Sequence, residues 1–229
     1  MDIKMMISKA REENRGLFET EAMDILKSYG INVPNYRLAK LEEDAVIMAR
    51  KIGYPVVMKI VSRDILHKTD SGCVKLNLKN DEEVKRAYKE IIYNAKEVNK
   101  EVCIEGVVIY PLVPKGIEVI IGVTDDDQFG SAIMFGLGGI FIEVLKDVVF
   151  RIIPVTEQDT REMIKEIKGY PLLTGIRGDK PKDIDSIVDV VLKISKLVLD
   201  FPEIREIDLN PIYVYDQGLT VVDARILVT

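Results

Sequence analysis

Among 229 residues there is one histidine, no tryptophan and two cysteines. Cys73 and Cys103 show no metal-ligand spacing, so neither a zinc site nor a disulfide framework is indicated, and a reducing cytoplasm fits. No apolar run approaches the ~20 residues of a membrane span, and the N-terminus lacks the apolar core of a signal peptide; export and anchoring are not expected. Basic residues are outnumbered, 32 Lys and Arg against 38 Asp and Glu, for a net charge of -6. That argues against general nucleic-acid binding, which needs a basic face to displace counterions, but leaves room for a local basic pocket for phosphates. There is no GxxxxGK[ST] and no GxGxxG opening a helix after a strand, so neither a P-loop nor a dinucleotide fold is supported. Glutamine is scarce while Lys, Glu, Ile and Val abound, a composition associated with hot environments.

What is present is a chain with 47% hydrophobic residues, enough for one large core or two small ones. Residues 3–10 suit a short helix, and a clearer one runs from Glu21 to Tyr29, with Thr20 as N-cap and Gly30 as C-cap. INVPNYRLA reads as a strand interrupted by a proline turn, and Glu43 to Ile52 as a helix ended by Gly53. Val84, Ala87, Ile91, Ala95 and Val98 recur at helical spacing behind the caps Asn80 and Asp81. EVCIEGVVIYPLV, the turn PKG and IEVIIGVT suggest a hairpin-like pair. SAIMFG and VVFRIIPV read as short strands flanking a glycine-rich loop. Helical patterns cover Thr156–Lys168 and Asp183–Leu199, and REIDLNPIYVY with LTVVDARILV forms a terminal hairpin turning at 216–218. Alternation of strands and helices makes the class α/β or α+β.

The stretch from Val56 to Leu78 organises the rest. An apolar strand carrying Lys59 leads into a polar loop holding His67, and Val74, Leu76 and Leu78 alternate on the way out. A histidine, with an unperturbed pKa of about 6.5, is the side chain that can serve as a neutral nucleophile at neutral pH. A surface-loop histidine without a task is the plain alternative. Lys59 interrupts a run that reads as buried, so it needs an anionic partner such as a nucleotide phosphate, or it sits on an edge strand and reaches solvent.

In the terminal hairpin, Glu206, Asp208 and Asn210 alternate with Ile207 and Leu209, so the polar three share one face. Folding back at 216–218 brings Asp223 opposite Asn210, within about one residue of register. An amide oxygen beside a carboxylate suits Mg²⁺, a hard cation that usually takes one or two protein groups plus phosphates. An ordinary solvent-facing half-strand has the same pattern. The loop from Gly136 to Gly139 could offer backbone N–H groups to a phosphate, a weak signal taken alone.

Lys59 in its strand, VIYPLVPKGIEVIIG, GLGGIFIEV, EIDLNPI and VVDAR together resemble the ATP-grasp fold: two α/β subdomains gripping a nucleotide between them. HKTDSG with VKLNL, and GLGG with DVVFR, resemble more narrowly the small β subunit of ADP-forming acetyl-CoA synthetase. The likeness runs from about Thr20 onward, and implies an N-terminal segment at 1–19, one subdomain at 20–118 and a second at 119–229. It implies that Lys59 contacts nucleotide phosphates, that Leu112 and Val113 supply backbone contacts to adenine, and that Glu118 meets the ribose. Gly138 and Gly139 would join the nucleotide site, and Asn210 and Asp223 would hold Mg²⁺. His67 would be a transient phosphohistidine with its ring steadied by Asp208. The reaction implied is acetyl-CoA, ADP and phosphate to acetate, ATP and CoA, with the CoA-binding steps on a larger α subunit in an α2β2 assembly. An ATP-grasp ligase joining a carboxylate to an amine, which has no use for His67, and a nucleotide-binding module without turnover are the rivals.

Overall fold

The computed structural model describes residues 2–65, 68–126, 128–139, 147–176 and 178–229. The chain divides into two units, one made of Met1–Val33 with Pro114–Thr229 and the other of Pro34–Val113. This differs from the division at 1–19, 20–118 and 119–229, and the reason is visible in the first helices. Helix α1 (Ile3–Glu12) leads to α2 (Glu19–Ser28), which buries Ala22, Met23, Ile25 and Leu26. Both belong with the C-terminal strands: Leu17 N–H donates to Ile226 O (2.9 Å), and Asn32 Nδ2 donates to Leu219 O (2.8 Å). Helix α2 starts earlier than a Thr20 cap would place it. The Glu21 carboxylate accepts from Phe18 N–H (2.8 Å) and closes the first turn there, while Arg15 holds the same carboxylate (2.7 and 3.0 Å).

The 34–113 unit carries β1 (Arg37–Ala39), α3 (Glu42–Ile52), β2 (Val56–Ser62), β3 (Val74–Leu78), α4 (Asp81–Val98) and β4 (Ile104–Pro111). Its antiparallel sheet has the order β1-β4-β2-β3. Only Arg37–Ala39 of INVPNYRLA is strand, on the far side of the proline. Met58, Ile60, Val107 and Ile109 pack against Ala49 of α3 and Val84, Ala87 and Ile91 of α4. Helix α4 is capped as its sequence predicts, with the Asn80 side chain accepting from Glu83 N–H (2.9 Å). In β3 the expected alternation breaks. Asn77 takes a left-handed φ of 57°, and the pairing shifts between Val56↔Leu78 and Met58↔Lys75. The resulting bulge leaves Leu76 64% exposed while Leu78 stays buried.

The other unit adds β5 (Ile117–Asp126), β6 (Gly130–Leu137), β7 (Val148–Ile152), α5 (Glu157–Glu166), α6 (Tyr170–Thr174), α7 (Ile184–Asp200), β8 (Ile204–Val214), β9 (Leu219–Val221) and β10 (Ala224–Val228). Its antiparallel sheet runs β10-β8-β5-β6-β7, with β9 paired to β8. Strands β4 and β5 therefore lie in different sheets, and the PKG turn links two units instead of closing a hairpin. Helix α7 buries Ile187, Val191, Ile194 and Val198 as its period predicts. Its N-cap Asp183 accepts from Ser186 N–H (3.0 Å) and from Gly218 N–H (2.7 Å), which ties the 216–218 turn to the helix start. Gly218 turns the chain there with φ 74°, a conformation that favours glycine.

Candidate functional site

Lys59 lies in the middle of β2, paired with Val74 on one side and Val108 on the other, and is 5% exposed. It is not on an edge strand. Strand alternation turns it away from Met58 and Ile60, which fill the helix-covered core, and its Nζ stands 5.3 Å from the centroid of the Tyr110 ring. Such a cation–π contact contributes on the order of 0.5–1 kcal/mol, and it offsets only a small part of the desolvation of a buried ammonium.

The loop between β2 and β3 is tightly built where it is described. Cys73 N–H donates to Lys68 O (2.8 Å), Gly72 N–H to Thr69 O (3.0 Å), and Asn94 Nδ2 to Gly72 O (2.9 Å). Gly72 has φ 66°, and a Cβ there would stand 2.7 Å from Asn94 Nδ2. Cys73 is fully buried and belongs to the core of its unit. His67 itself lies outside the described residues. Leu112 is 40% exposed and its N–H is already given to Pro55 O (3.0 Å), so its carbonyl is the backbone group left for a ligand. Val113, next in the chain, is the last residue of its unit.

In the larger unit the structure brings Glu118, Gly138 and Gly139 together. Gly138 N–H donates to Glu118 O (2.8 Å), and Gly139 has φ 60°. A Cβ on Gly139 would sit 2.7 Å from Glu118 Oε2, the mobile end of that side chain, and the positive φ is what favours glycine here. Gly136 and Leu137 close strand β6, and the free part of the motif begins at Gly138. The residues from 140 to 146 lie outside the described set.

Asp147, where description resumes, was not a candidate from the sequence. It is 6% exposed, and its two carboxylate oxygens accept from Lys168 N–H and Gly169 N–H, both at 2.8 Å. Gly136 makes room for it, since a Cβ there would meet Asp147 O at 2.7 Å. The one sequence signal was a carboxylate set inside the apolar run VLKDVVF, which asks for buried donors.

The third group is on the terminal strands. Ile212↔Val221 and Leu209↔Ala224 are paired, so the same register places Asp223 across from Asn210. Val222 N–H donates to Pro211 O (3.0 Å) between them. Ile207, Leu209 and Ile212 are buried, whereas Asp208 is half-buried and Asn210 exposed, as the alternation predicts. Burial is the largest influence on Asp208 and raises its pKa; the negative charges of Asp223 and Glu206 raise it further, against a smaller lowering by Arg225. The face thus concentrates negative charge that a cation would offset. Among the described residues no group of three or more His, Cys, Asp or Glu is placed to hold a metal ion. An amide oxygen set across from a carboxylate, as at Asn210 and Asp223, is a pair of hard oxygen donors of the kind Mg²⁺ takes.

Two α/β units, each built on an antiparallel sheet, with a buried lysine in one and a paired Asn and Asp in the other, define an ATP-grasp protein. The ATP-grasp domain family matches residues 8–228. The chain is 53% identical over 222 residues to the β subunit of acetate–CoA ligase [ADP-forming] I from Pyrococcus furiosus, covering 97% of this chain and 96% of that one. The β subunit of isoform II from the same organism is 52% identical, with 98% and 97% covered. A solved structure of Ca. Korarchaeum cryptofilum dinucleotide forming acetyl-coenzyme A synthetase 1, in complex with coenzyme A, Ca-AMPCP and HgCl+, superposes with a TM-score of 0.95 at 48% identity, covering all of both chains. This chain belongs to the ATP-grasp family, among the β subunits of ADP-forming acetate–CoA ligases.

Proposed function

We propose that this chain is the nucleotide-binding β subunit of an ADP-forming acetyl-CoA synthetase, forming acetate, ATP and CoA from acetyl-CoA, ADP and phosphate with a CoA-binding α subunit. The carrying observation is the cross-strand placement of Asp223 opposite Asn210, with Asp208 two residues back on the same face. Lys59 contacts the nucleotide phosphates, the Leu112 carbonyl and Val113 backbone meet adenine, Glu118 meets the ribose, and Gly138 and Gly139 approach the phosphates. Mg²⁺, bound by Asn210 and Asp223, offsets phosphate charge. His67 accepts a phosphoryl group delivered by the α subunit, Asp208 steadies its ring, and ADP takes the phosphoryl group from it. The assembly is α2β2, and it works in the cytoplasm, where free Cys73 and Cys103 stay reduced.

The test is His67→Asn in the complex with the α chain encoded beside it. ADP affinity stays near normal while ATP synthesis stops and phosphate accumulates on the α partner. The wild-type pH profile falls on the acid side, because an imidazolium has no lone pair for phosphorus. Unchanged ATP synthesis in the variant would sink the relay and favour a carboxylate–amine ligase, for which His67 is dispensable.

A further inference from the structure

Three lysines, Lys115, Lys180 and Lys182, line one open cleft of about 700 Å³ in the larger unit, with Tyr215, Asp216 and Gln217 beside them. The lining comes from three segments: the PKG turn, the loop between α6 and α7, and the turn between β8 and β9. In a chain of net charge -6, this lining sets one carboxylate against three ammonium groups. The cleft shares no residue with the nucleotide and Mg²⁺ contacts proposed above.

The three segments are tied to one another, so the charges are held on one fixed surface. Lys182 N–H donates to Leu173 O (2.8 Å), Asp183 N–H to Tyr215 O (2.9 Å) and Tyr215 N–H to Gly218 O (3.0 Å). The Tyr215 hydroxyl donates to Pro114 O (2.9 Å), next to Lys115, and Gly116 lies so close to β8 that a Cβ would stand 2.4 Å from Val214 O. Lys182 Nζ donates to Asp216 Oδ1 at 2.6 Å. That bond is the first cause of a lowered Asp216 pKa, against a smaller rise from burial, and the charges of Lys182 and Lys180 lower it further. One carboxylate therefore serves two ammonium groups. Among the described residues Lys115 and Lys180 form no ion pair, whereas Lys182 has Asp216. Like charges gathered on a fixed surface repel, and an anion bound among them removes the repulsion.

We infer that this cleft binds a multivalent phosphate anion, of which inorganic pyrophosphate is the simplest, through the ammonium groups of Lys115, Lys180 and Lys182. A lysine supplies a compact charge with three rotatable donors and suits tetrahedral phosphoryl oxygens, whereas a planar carboxylate is better matched by a guanidinium fork. Among the described residues the lining has no arginine. A diphosphate has the charge and the span to meet more than one lysine at once. On binding, Lys182 exchanges its contact with Asp216 for one with the anion, so Asp216 is the internal competitor that keeps affinity low. No covalent bond is made or broken, and the inference stands apart from the phosphohistidine reading.

Calorimetric titration of the reconstituted αβ complex with sodium pyrophosphate, without Mg²⁺, tests this in wild type, Lys59→Met, Asp216→Asn and the double variant Lys115→Gln with Lys180→Gln. Pyrophosphate binding is expected in wild type and persists in Lys59→Met, which removes only the proposed nucleotide contact. In the double variant it weakens at least about tenfold, the size of losing a charge-assisted contact, while kcat and the KM for ADP stay within about threefold of wild type. Asp216→Asn binds pyrophosphate more tightly. Affinity falls as salt is raised, and citrate, an anion of planar carboxylates, binds more weakly. Uridine diphosphate binding as well as pyrophosphate supports recognition of the diphosphate itself. The inference is overturned by no binding in wild type, by unchanged binding in the double variant, by unchanged or weaker binding in Asp216→Asn, or by citrate binding the tighter. A raised KM for ADP in the double variant would put these lysines in the nucleotide site and overturn it as well.

Discussion

Asp147 and Gly169 meet through one short hydrogen bond, Gly169 N–H to Asp147 Oδ2 at 2.8 Å, beside the matching bond from Lys168 N–H to Oδ1. The two bonds fasten the start of β7 to the segment after α5, next to Gly136 of β6. Removing the carboxylate leaves two backbone donors unsatisfied, each costing about 1–3 kcal/mol where it is buried. Asp147→Ala should lower the unfolding free energy by about 2–4 kcal/mol in urea titrations on that basis. A change below about 0.5 kcal/mol, the size of an ordinary surface substitution, would show that water replaces the anchor.

Lys59 gives the opposite expectation. Met is apolar and of similar length, and a buried strand tolerates such a replacement, so Lys59→Met should leave the Tm of the nucleotide-free protein near wild type. Calorimetric titration with ADP should show at least about tenfold weaker binding, equivalent to about 1.4 kcal/mol. A marked loss of Tm without nucleotide would mark Lys59 as structural.

For the metal, Asn210→Ala and Asp223→Ala should each abolish Mg²⁺-dependent turnover while leaving the circular dichroism spectrum and the denaturant midpoint close to wild type. Asn210 is exposed and neither change opens the core, so a folding defect is not expected. Full activity of either variant at limiting Mg²⁺ would refute the assignment.

A pH experiment isolates the exposed cluster of Arg50, Tyr54 and Asp81 in the 34–113 unit. Hydrogen bonds from Arg50 and then from Tyr54 hold the Asp81 carboxyl down at about 2, while burial and the hydrogen bond to Asp81 push Tyr54 up to about 12. A depressed acid stabilises the fold fully above its ordinary pKa of 3.8 and loses that contribution as pH falls through about 2. The stability difference between wild type and Arg50→Gln should therefore be greatest above pH about 4 and shrink toward pH about 2. A difference that stays constant across this range would show that Asp81 does not depend on Arg50.

Much of this was legible because local rules and tertiary structure agree. The apolar period of α4 and the polar alternation of Glu206, Asp208 and Asn210 survive into the fold, and a three-residue turn fixes the register that sets Asp223 against Asn210. What was not legible depends on long-range choices. Whether β5 pairs with β4 or with β8 is decided by sheet partners far away in sequence, and adjacent strands in sequence mislead. Asn77 bends β3 through one left-handed residue, which a period-2 pattern does not encode. Asp147 works by accepting from the N–H groups of Lys168 and Gly169, 21 and 22 residues further on.

The pairing of residues 1–33 with the last strands also dictates how the protein can be made. Asn32 and its acceptor Leu219 are 187 residues apart. A ribosome adding about 5–20 residues per second would leave α2 without its partner strands for roughly 10–40 s. Throughout that interval Met23, Ile25 and Leu26, each fully buried in the finished fold, face the solvent of the cell. The nascent chain is then most open to chaperones and to aggregation near its own beginning, while the inserted 34–113 unit, complete in sequence, can fold first.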